Sequence, residues 1–313
     1  MRVEAGPLGQ FVAGGTDLYP NMKRRQETPK VVIDLADLPE LRGVAPGAGG
    51  GLRLGACLRL SEIETQEDLL AAYGAVTHGA AVISTPLLRN MGTLGGNLLL
   101  DTRCNYYDQN FEWRKSISFC MKKDGSVCWV APGSPRCWAV QSSDLAPVMV
   151  ALGATVALLG PDGEREIPAG ALYNDDGMVF THKRPEELLT AVNLPAPNGW
   201  RAVYRKVRRR GAFDFPVLGT AVWAKFAGGG NGRAPGVEDV RIVLGAVGSH
   251  PKRAHEAEDL LRGNPLDEEH VRAAADAAWK PAKPMDTTDF TIGWRKEIVK
   301  PEVARALREL TVG

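Results

Sequence analysis

The 313-residue sequence contains no hydrophobic stretch long enough to span a bilayer, and Met1–Pro7 lacks the basic and apolar regions of a signal peptide. It also lacks an excess of either charge, since 38 Lys and Arg nearly balance 37 Asp and Glu. Nucleic acid and anionic membranes are therefore excluded as main partners, because binding either one requires a basic surface. The sequence predicts a cytoplasmic globular protein without internal repeats.

Hydrolase signatures are missing as well. There is no G-x-S-x-G elbow and no evident pairing of a nucleophile with a base. The five histidines show no metal-ligand spacing apart from the loosely spaced His250 and His255. We therefore predict that the chain supplies no catalytic residue of its own.

Cysteine is scarce, yet four of the five cysteines, Cys104, Cys120, Cys128 and Cys137, follow one another with the spacing C-x15-C-x7-C-x8-C. In a reducing cytosol, crowded thiolates bind zinc or an iron–sulfur cluster more often than they form disulfides. The spacing matches neither the C-x2-4-C pairs of structural zinc sites nor the C-x2-C-x2-C run of ferredoxins. The fifth, Cys57, lies in an apolar run and is interpreted as a core residue.

Three interpretations of the cysteine stretch stay open at this point: an iron–sulfur cluster, a zinc site, or four unligated core cysteines. The residues between the cysteines are rich in aromatic and basic side chains. Such a shell can shield a cluster from water and offset its negative charge. An ordinary aromatic packing patch is the alternative.

Two segments with a Gly-Gly pair, Phe11–Leu18 (FVAGGTDL) and Thr93–Leu98 (TLGGNL), are candidates for holding a phosphate. Each is predicted to be a turn whose bare backbone N–H groups favour an anion, and two such turns can clasp a pyrophosphate from opposite sides. Neither matches G-x-G-x-x-G or the Walker pattern, so a Rossmann site and a P-loop both lack their signature. Plain turns are the alternative interpretation.

Two later segments carry polar candidates. Asp144, in the turn 143–147, is interpreted as a ribose hydroxyl acceptor or as a helix cap. The basic run Tyr204–Arg210 is interpreted mainly as a solvated strand face, with contact to a cofactor or a partner subunit as the alternative.

The pattern of apolar residues predicts a mixed α/β region followed by paired strands and closing helices. A Pro- and Gly-rich stretch near residues 195–199 marks a plausible linker. Predicted strands cover 10–13, 31–35, 52–57, 146–159, 217–226 and 237–247, and predicted helices cover 17–25, 60–83, 254–262, 267–279 and 294–310. The loop 227–236 is predicted to be exposed and mobile.

Taken in order, the segments 13–18, 93–98, 144–147 and 204–216 resemble the characteristic segments of the FAD-binding medium subunits of the molybdenum hydroxylase (xanthine oxidase) family. This resemblance implies an α+β fold, in which an FAD-binding domain of the vanillyl-alcohol-oxidase/PCMH-like type with two α+β subdomains precedes a C-terminal α+β domain with a small antiparallel sheet and helices. The implied N-terminal FAD-binding subdomain covers residues 1–56, and the second FAD-binding subdomain covers 57–194, with the cysteine-rich insertion at about 101–140. The C-terminal flavoprotein domain covers residues 195–313.

The same resemblance implies an extended FAD with its pyrophosphate over the two Gly-Gly pairs, its adenosine side near Asp144, and Lys206 near the flavin or its phosphates. The implied cofactor-binding residues are Ala13, Gly14, Gly15, Thr16, Asp17, Leu18, Thr93, Gly95, Gly96, Asn97, Asp144 and Lys206.

Within this family, the cysteine stretch is similar to that of the β subunits of 4-hydroxybenzoyl-CoA reductases, in which an inserted loop carries an additional [4Fe-4S] cluster. The likeness implies cluster ligation by Cys104, Cys120, Cys128 and Cys137. It also implies that electrons pass from ferredoxin or a similar donor through the cluster and FAD to a [2Fe-2S] small subunit and a molybdopterin-binding large subunit, in a dimer of heterotrimers, for reductive dehydroxylation. The alternatives are the FAD subunit of a xanthine or aldehyde dehydrogenase and a zinc-stabilised flavin scaffold.

Overall fold

The computed structural model describes residues 2–227 and 234–311, in which eleven strands form three sheets. The strands are β1 (Gly9–Val12), β2 (Val31–Asp34), β3 (Val44–Pro46), β4 (Leu52–Gly55), β5 (Thr155–Gly160), β6 (Gly163–Pro168), β7 (Leu188–Leu194), β8 (Trp200–Val207), β9 (Leu218–Ala227), β10 (Gly236–Gly245) and β11 (Lys252–Arg253). β1 and β2 form a parallel pair, while the order β3-β4-β7-β5-β6 and the order β11-β10-β9-β8 are antiparallel throughout.

The helices are mostly short, and within the described ranges none combines the length and apolar character that crossing a membrane requires. They are α1 (Arg2–Ala5), α2 (Leu18–Lys23), α3 (Leu60–Thr65), α4 (Glu67–Ala72), α5 (Gly74–Ala81), α6 (Pro86–Arg89), α7 (Leu94–Leu98), α8 (Phe111–Ser116), α9 (Leu145–Leu152), α10 (His255–Leu261), α11 (Glu268–Ala278), α12 (Ile292–Glu297) and α13 (Val299–Glu309).

The sheet β8–β11 packs against a hydrophobic core on each face, which joins the two halves of the chain. Along β9, Ala221 and Trp223 belong to the core that contains α5 and α9, whereas Val222 and Ala224 belong to the core formed with α10, α11 and α13. Successive side chains of a strand point to opposite faces, so a strand covered on both sides is apolar along its length. The packing holds β8 directly against α5 in the N-terminal half of the chain.

The α+β fold class is confirmed, as are the antiparallel pairing of the two long strands and the closing helices. Most of the predicted loop 227–236 lies outside the described residues. The subdomain limits stay a prediction; β3 and β4, which precede residue 56, pair through β4 with β7 in one sheet.

The predicted strand at residues 146–159 is wrong in its first half. Residues 145–152 form the helix α9, and only residues from 155 onward form a strand. The helix is buried on nearly every side, so its apolar run has no helical periodicity, and such a run cannot be told from a buried strand by pattern alone. Gly153, which ends α9 with a φ of 70°, is the local signal that favours a helix.

Candidate functional site

A cavity of about 780 Å³ lies between the N-terminal glycine turn, α7, the segment that leads into β7 and the loop that follows β8. This volume is within the range of sites that bury most of a cofactor. Its walls come from segments far apart in the chain, including 9–18, 92–97, 99–103, 183–189 and 213–215. The cavity is therefore formed by tertiary packing of segments that lie between residues 9 and 215.

The first glycine turn connects β1 to α2 and forms one wall of this cavity. A β-carbon at Gly14 would lie 1.8 Å from the carbonyl oxygen of Met91, so only glycine permits this close approach of two backbones. Gly15 has a φ of 69° and packs against the ring of Tyr19. Both glycines are thus required by geometry that the sequence could only suggest.

The second glycine segment is the start of the helix α7, and not the simple turn that we predicted. Thr93 caps α7, because its Oγ1 accepts a hydrogen bond from the N–H of Gly96 (3.2 Å). Gly95 lies where a β-carbon would be 2.9 Å from Ala56 Cβ. Asn97 Oδ1 accepts from Ser143 Oγ (2.7 Å) and from the N–H of Leu145 (3.2 Å), which fixes the start of α9.

The structure brings the predicted cofactor-binding residues together around the cavity, with one exception. All of them line it except Lys206, whose ammonium lies behind the wall. Lys206 therefore contacts Asp144, which lines the cavity, but does not line the cavity itself.

Asp144 is a buried carboxylate held by two neighbours on β8. Its Oδ1 accepts from the Tyr204 hydroxyl (2.8 Å), and its Oδ2 accepts from Lys206 Nζ (2.9 Å), which also donates to the Val82 carbonyl (3.0 Å). Burial raises the pKa of Asp144 and lowers that of Lys206, and their ion pair opposes both shifts. The interpretation of the basic run as a solvated strand face is wrong for Tyr204 and Lys206, and Asp144 makes no capping hydrogen bond to α9.

Replacing Lys206 by Met is expected to destabilise the protein by about 3–5 kcal/mol, because it leaves Asp144 as an unpaired buried charge. Urea denaturation followed by circular dichroism measures this change. The matched control is Lys225→Met, which removes an exposed ion pair with Glu238 (2.6 Å) and is expected to cost about 0–1 kcal/mol. Equal destabilisation by both variants would contradict the structural importance of the buried pair.

Sequence patterns gave no indication of Arg103, which also lines the cavity. Its guanidinium forms ion pairs with Asp17 and with Asp108 (3.2 Å) and lies over the ring of Phe215 (4.6 Å to the centroid). It thereby connects the first glycine turn, the cysteine stretch and the loop after β8. Asp101, Ser142 and Phe213 are further lining residues that sequence reasoning missed, because only tertiary packing places them there.

The four clustered cysteines surround a second, small cavity. All are buried and free of disulfides, and they line this cavity together with Tyr106, Tyr107, Met121, Lys122, Trp129 and Ala139. Arg114 of α8 anchors the stretch to the end of α2 by donating to the carbonyl oxygens of Arg24 (2.7 Å) and Arg25 (3.0 Å). The side chains of Cys104 and Cys137, 33 positions apart, are thus held around one space.

The sulfur atoms of this second cavity are surrounded by groups that suit thiolates. Backbone N–H groups donate to Cys104, Cys120 and Cys137, as in the contact from Ala139 to Cys137 Sγ (3.4 Å). Burial nevertheless raises the pKa of Cys104 to about 12 and that of Cys137 to about 11. Such thiols stay protonated at neutral pH unless iron or another metal displaces the protons.

The four cysteines line one cavity together. Within residues 2–227 and 234–311, no three His, Cys, Asp or Glu side chains are arranged to bind one metal ion. Zinc holds its four thiolates at about 2.3 Å from one centre, whereas the four iron atoms of a [4Fe-4S] cluster spread their ligands around a larger body. A common cavity lined by all four cysteines offers soft ligands of the kind that both groups use.

The segment Asp101 to Cys104 forms part of the wall between the two cavities. Asp101 and Arg103 line the large cavity, and Cys104 lines the small one. Asp108 reinforces the wall, since its Oδ2 accepts from the N–H of Cys104 (2.9 Å) and its Oδ1 pairs with Arg103. The two cavities are thus connected through a short run of covalent bonds.

Comparison with known proteins agrees with this architecture. The family described as FAD binding domain in molybdopterin dehydrogenase matches residues 2–197, and the CO dehydrogenase flavoprotein C-terminal domain matches residues 202–310. The chain is 31% identical to the aldehyde oxidoreductase FAD-binding subunit PaoB of Escherichia coli (strain K12), over 96% of this chain and 92% of that protein. It is 30% identical to the carbon monoxide dehydrogenase medium chain of Afipia carboxidovorans, over 89% and 80% of the two chains.

A solved structure of carbon monoxide dehydrogenase from Hydrogenophaga pseudoflava superposes with a TM-score of 0.79 and 26% identity, covering 99% of this chain and 92% of that chain. The likeness therefore extends over both the FAD-binding part and the C-terminal part. The chain belongs to the molybdenum hydroxylase family, in which it is an FAD-binding medium subunit and part of an oxidoreductase.

Proposed function

We propose that this chain is an electron-transfer subunit that carries both FAD and a [4Fe-4S] cluster in a molybdenum enzyme. The observation that carries the proposal is the placement of four buried, free cysteines around one cavity, next to the large cavity. Both groups supply reversible electron storage when bound, and the protein positions them and tunes their potentials.

In this proposal FAD occupies the large cavity, with its pyrophosphate over Gly14, Gly15, Gly95 and Gly96. The remaining predicted cofactor-binding residues position the rest of the molecule, and Lys206 does so indirectly by holding Asp144. Cys104, Cys120, Cys128 and Cys137 ligate the cluster. The chain has no catalytic residue in this scheme, because substrate chemistry takes place at molybdenum on another subunit.

The partners that follow are a molybdopterin-binding large subunit and a [2Fe-2S] small subunit. Names such as FAD-binding subunit and medium chain, given to the relatives, support an assembly of several subunits. Ferredoxin or a similar one-electron protein is the external partner in this proposal, and a dimer of heterotrimers in the cytoplasm is the predicted assembly.

Two reactions are candidates for the whole complex. The cysteine pattern resembles that of 4-hydroxybenzoyl-CoA reductases, in which the substrate, two electrons and two protons give benzoyl-CoA and water. The names of the relatives instead favour oxidation of an aldehyde with water to a carboxylic acid, which releases two electrons and two protons. Assays of the purified complex with each substrate, with reduced or oxidised ferredoxin, distinguish the two directions.

The content of metal and flavin in the anaerobically purified chain tests the electron-transfer proposal directly. We expect about four iron atoms and about four acid-labile sulfides per FAD, with an EPR signal that develops on reduction. Zinc in place of iron, or FAD without any metal, would contradict the proposed cluster and would leave a flavoprotein subunit of this family.

A further inference from the structure

Lys122 is the one residue with a charged side chain among the ten that line the cysteine cavity. Its side chain is only 5% exposed. Removing an ammonium group from water is costly unless the structure provides partners, so a lysine in this position requires a compensating arrangement.

The partners of Lys122 use all three of its N–H donors. Nζ donates to Asp101 Oδ1, Thr102 Oγ1 and the carbonyl oxygen of Gly177, each at 2.7 Å. The ammonium also faces the ring of Tyr107, 4.8 Å from its centroid. Since no donor remains for a sulfur atom, Lys122 acts on the cysteine cavity through its charge and not through a hydrogen bond.

The ammonium lies at the wall between the two cavities. Lys122 and Tyr107 line the cysteine cavity, whereas Asp101 and Phe180, whose ring centroid is 5.6 Å from Nζ, line the large cavity. The ion pair of Lys122 with Asp101 therefore connects the two proposed redox sites. The ammonium of Lys122 is held by residues from two separate segments of the chain, 101–107 and 177–180.

A [4Fe-4S] cluster with four thiolates is a net anion that gains one further negative charge when it accepts one electron. A buried cation stabilises the more negative state more strongly, because Coulomb energy is large where water is excluded. We propose that the fixed ammonium group of Lys122 raises the reduction potential of the cluster in the four-cysteine cavity. This inference depends on the proposed function, because it requires the cluster.

The test is an EPR-monitored potentiometric titration of the purified, flavin-loaded protein. For Lys122→Met we expect the ratio of reduced to oxidised cluster at a fixed potential to fall about tenfold, a shift of about −59 mV for a one-electron couple. Lys122→Arg keeps the charge and should keep the potential. The matched control is Lys123→Met, because Lys123 lies next to Lys122 in sequence but does not line the cysteine cavity. The reduction potential of the cluster in this variant should equal that of the wild type.

An unchanged potential in iron-loaded Lys122→Met would overturn the inference while the proposed function stands. Absence of iron from the wild-type protein would overturn both. If Lys122→Met cannot be loaded with iron, the variant Asp101→Asn provides the test. Loss of the carboxylate that pairs with Lys122 should raise the reduction potential of the cluster. An unchanged potential in Asp101→Asn would overturn the inference.

Discussion

Replacing Cys120 by Ser is expected to remove the [4Fe-4S] signal and most of the iron from the protein while FAD remains bound. In the proposed site the cluster loses one of its four thiolate ligands. FAD is retained because Cys120 belongs to a small separate core and does not line the large cavity. Transfer of electrons from a ferredoxin-type donor should be lost together with the iron.

The same substitution at the fifth cysteine serves as the control. Cys57 is also buried, its thiol donates to the carbonyl oxygen of Leu35 (3.6 Å), and it lines the large cavity but not the cysteine cavity, so it is a control for iron content. Cys57→Ser should therefore retain full iron content. Analysis of iron, sulfide and flavin in both variants provides the comparison, and undiminished electron transfer in Cys120→Ser would refute the function proposed for the cluster.

A second large effect is expected at the glycine turn. Gly14→Ala should weaken FAD binding by about a hundredfold, since the new β-carbon would overlap the Met91 carbonyl oxygen and the turn would have to move by about an ångström or more. The expected product is a folded apoprotein, because Gly14 lines the cavity from the turn between β1 and α2, outside the strands and helices of the described residues. Equilibrium titration with FAD, followed by flavin fluorescence, measures the change.

Gly74→Ala is the control for this prediction. Gly74 begins the helix α5, and a β-carbon there would meet no atom within 4 Å. Because alanine favours a helix more than glycine does, this variant should bind FAD normally and be slightly more stable. Wild-type affinity in Gly14→Ala would show that the turn does not contact the cofactor as proposed.

Several elements were predictable because their signals are local. The long strands β9 and β10 and the helices α10, α11 and α13 carry strong patterns of apolar residues, and the structure has them close to the predicted positions. The helix α9 is indistinguishable from a strand by pattern because it is packed in the hydrophobic core on nearly every side. Its sequence therefore has no polar face that would show a helical period. Such a helix is recognisable only from its ends.

The sequence by itself determined which chemistry is available to this protein: two Gly-Gly segments, four soft ligands within a short stretch, and little else that is reactive. Local backbone preference and side-chain type suffice for such conclusions. Tertiary structure alone decided that Gly14 packs against Met91, that Lys206 points inward to Asp144, and that Lys122 lies between the two cavities. These contacts join residues dozens of positions apart, and burial and charge pairing between them depend on the complete fold.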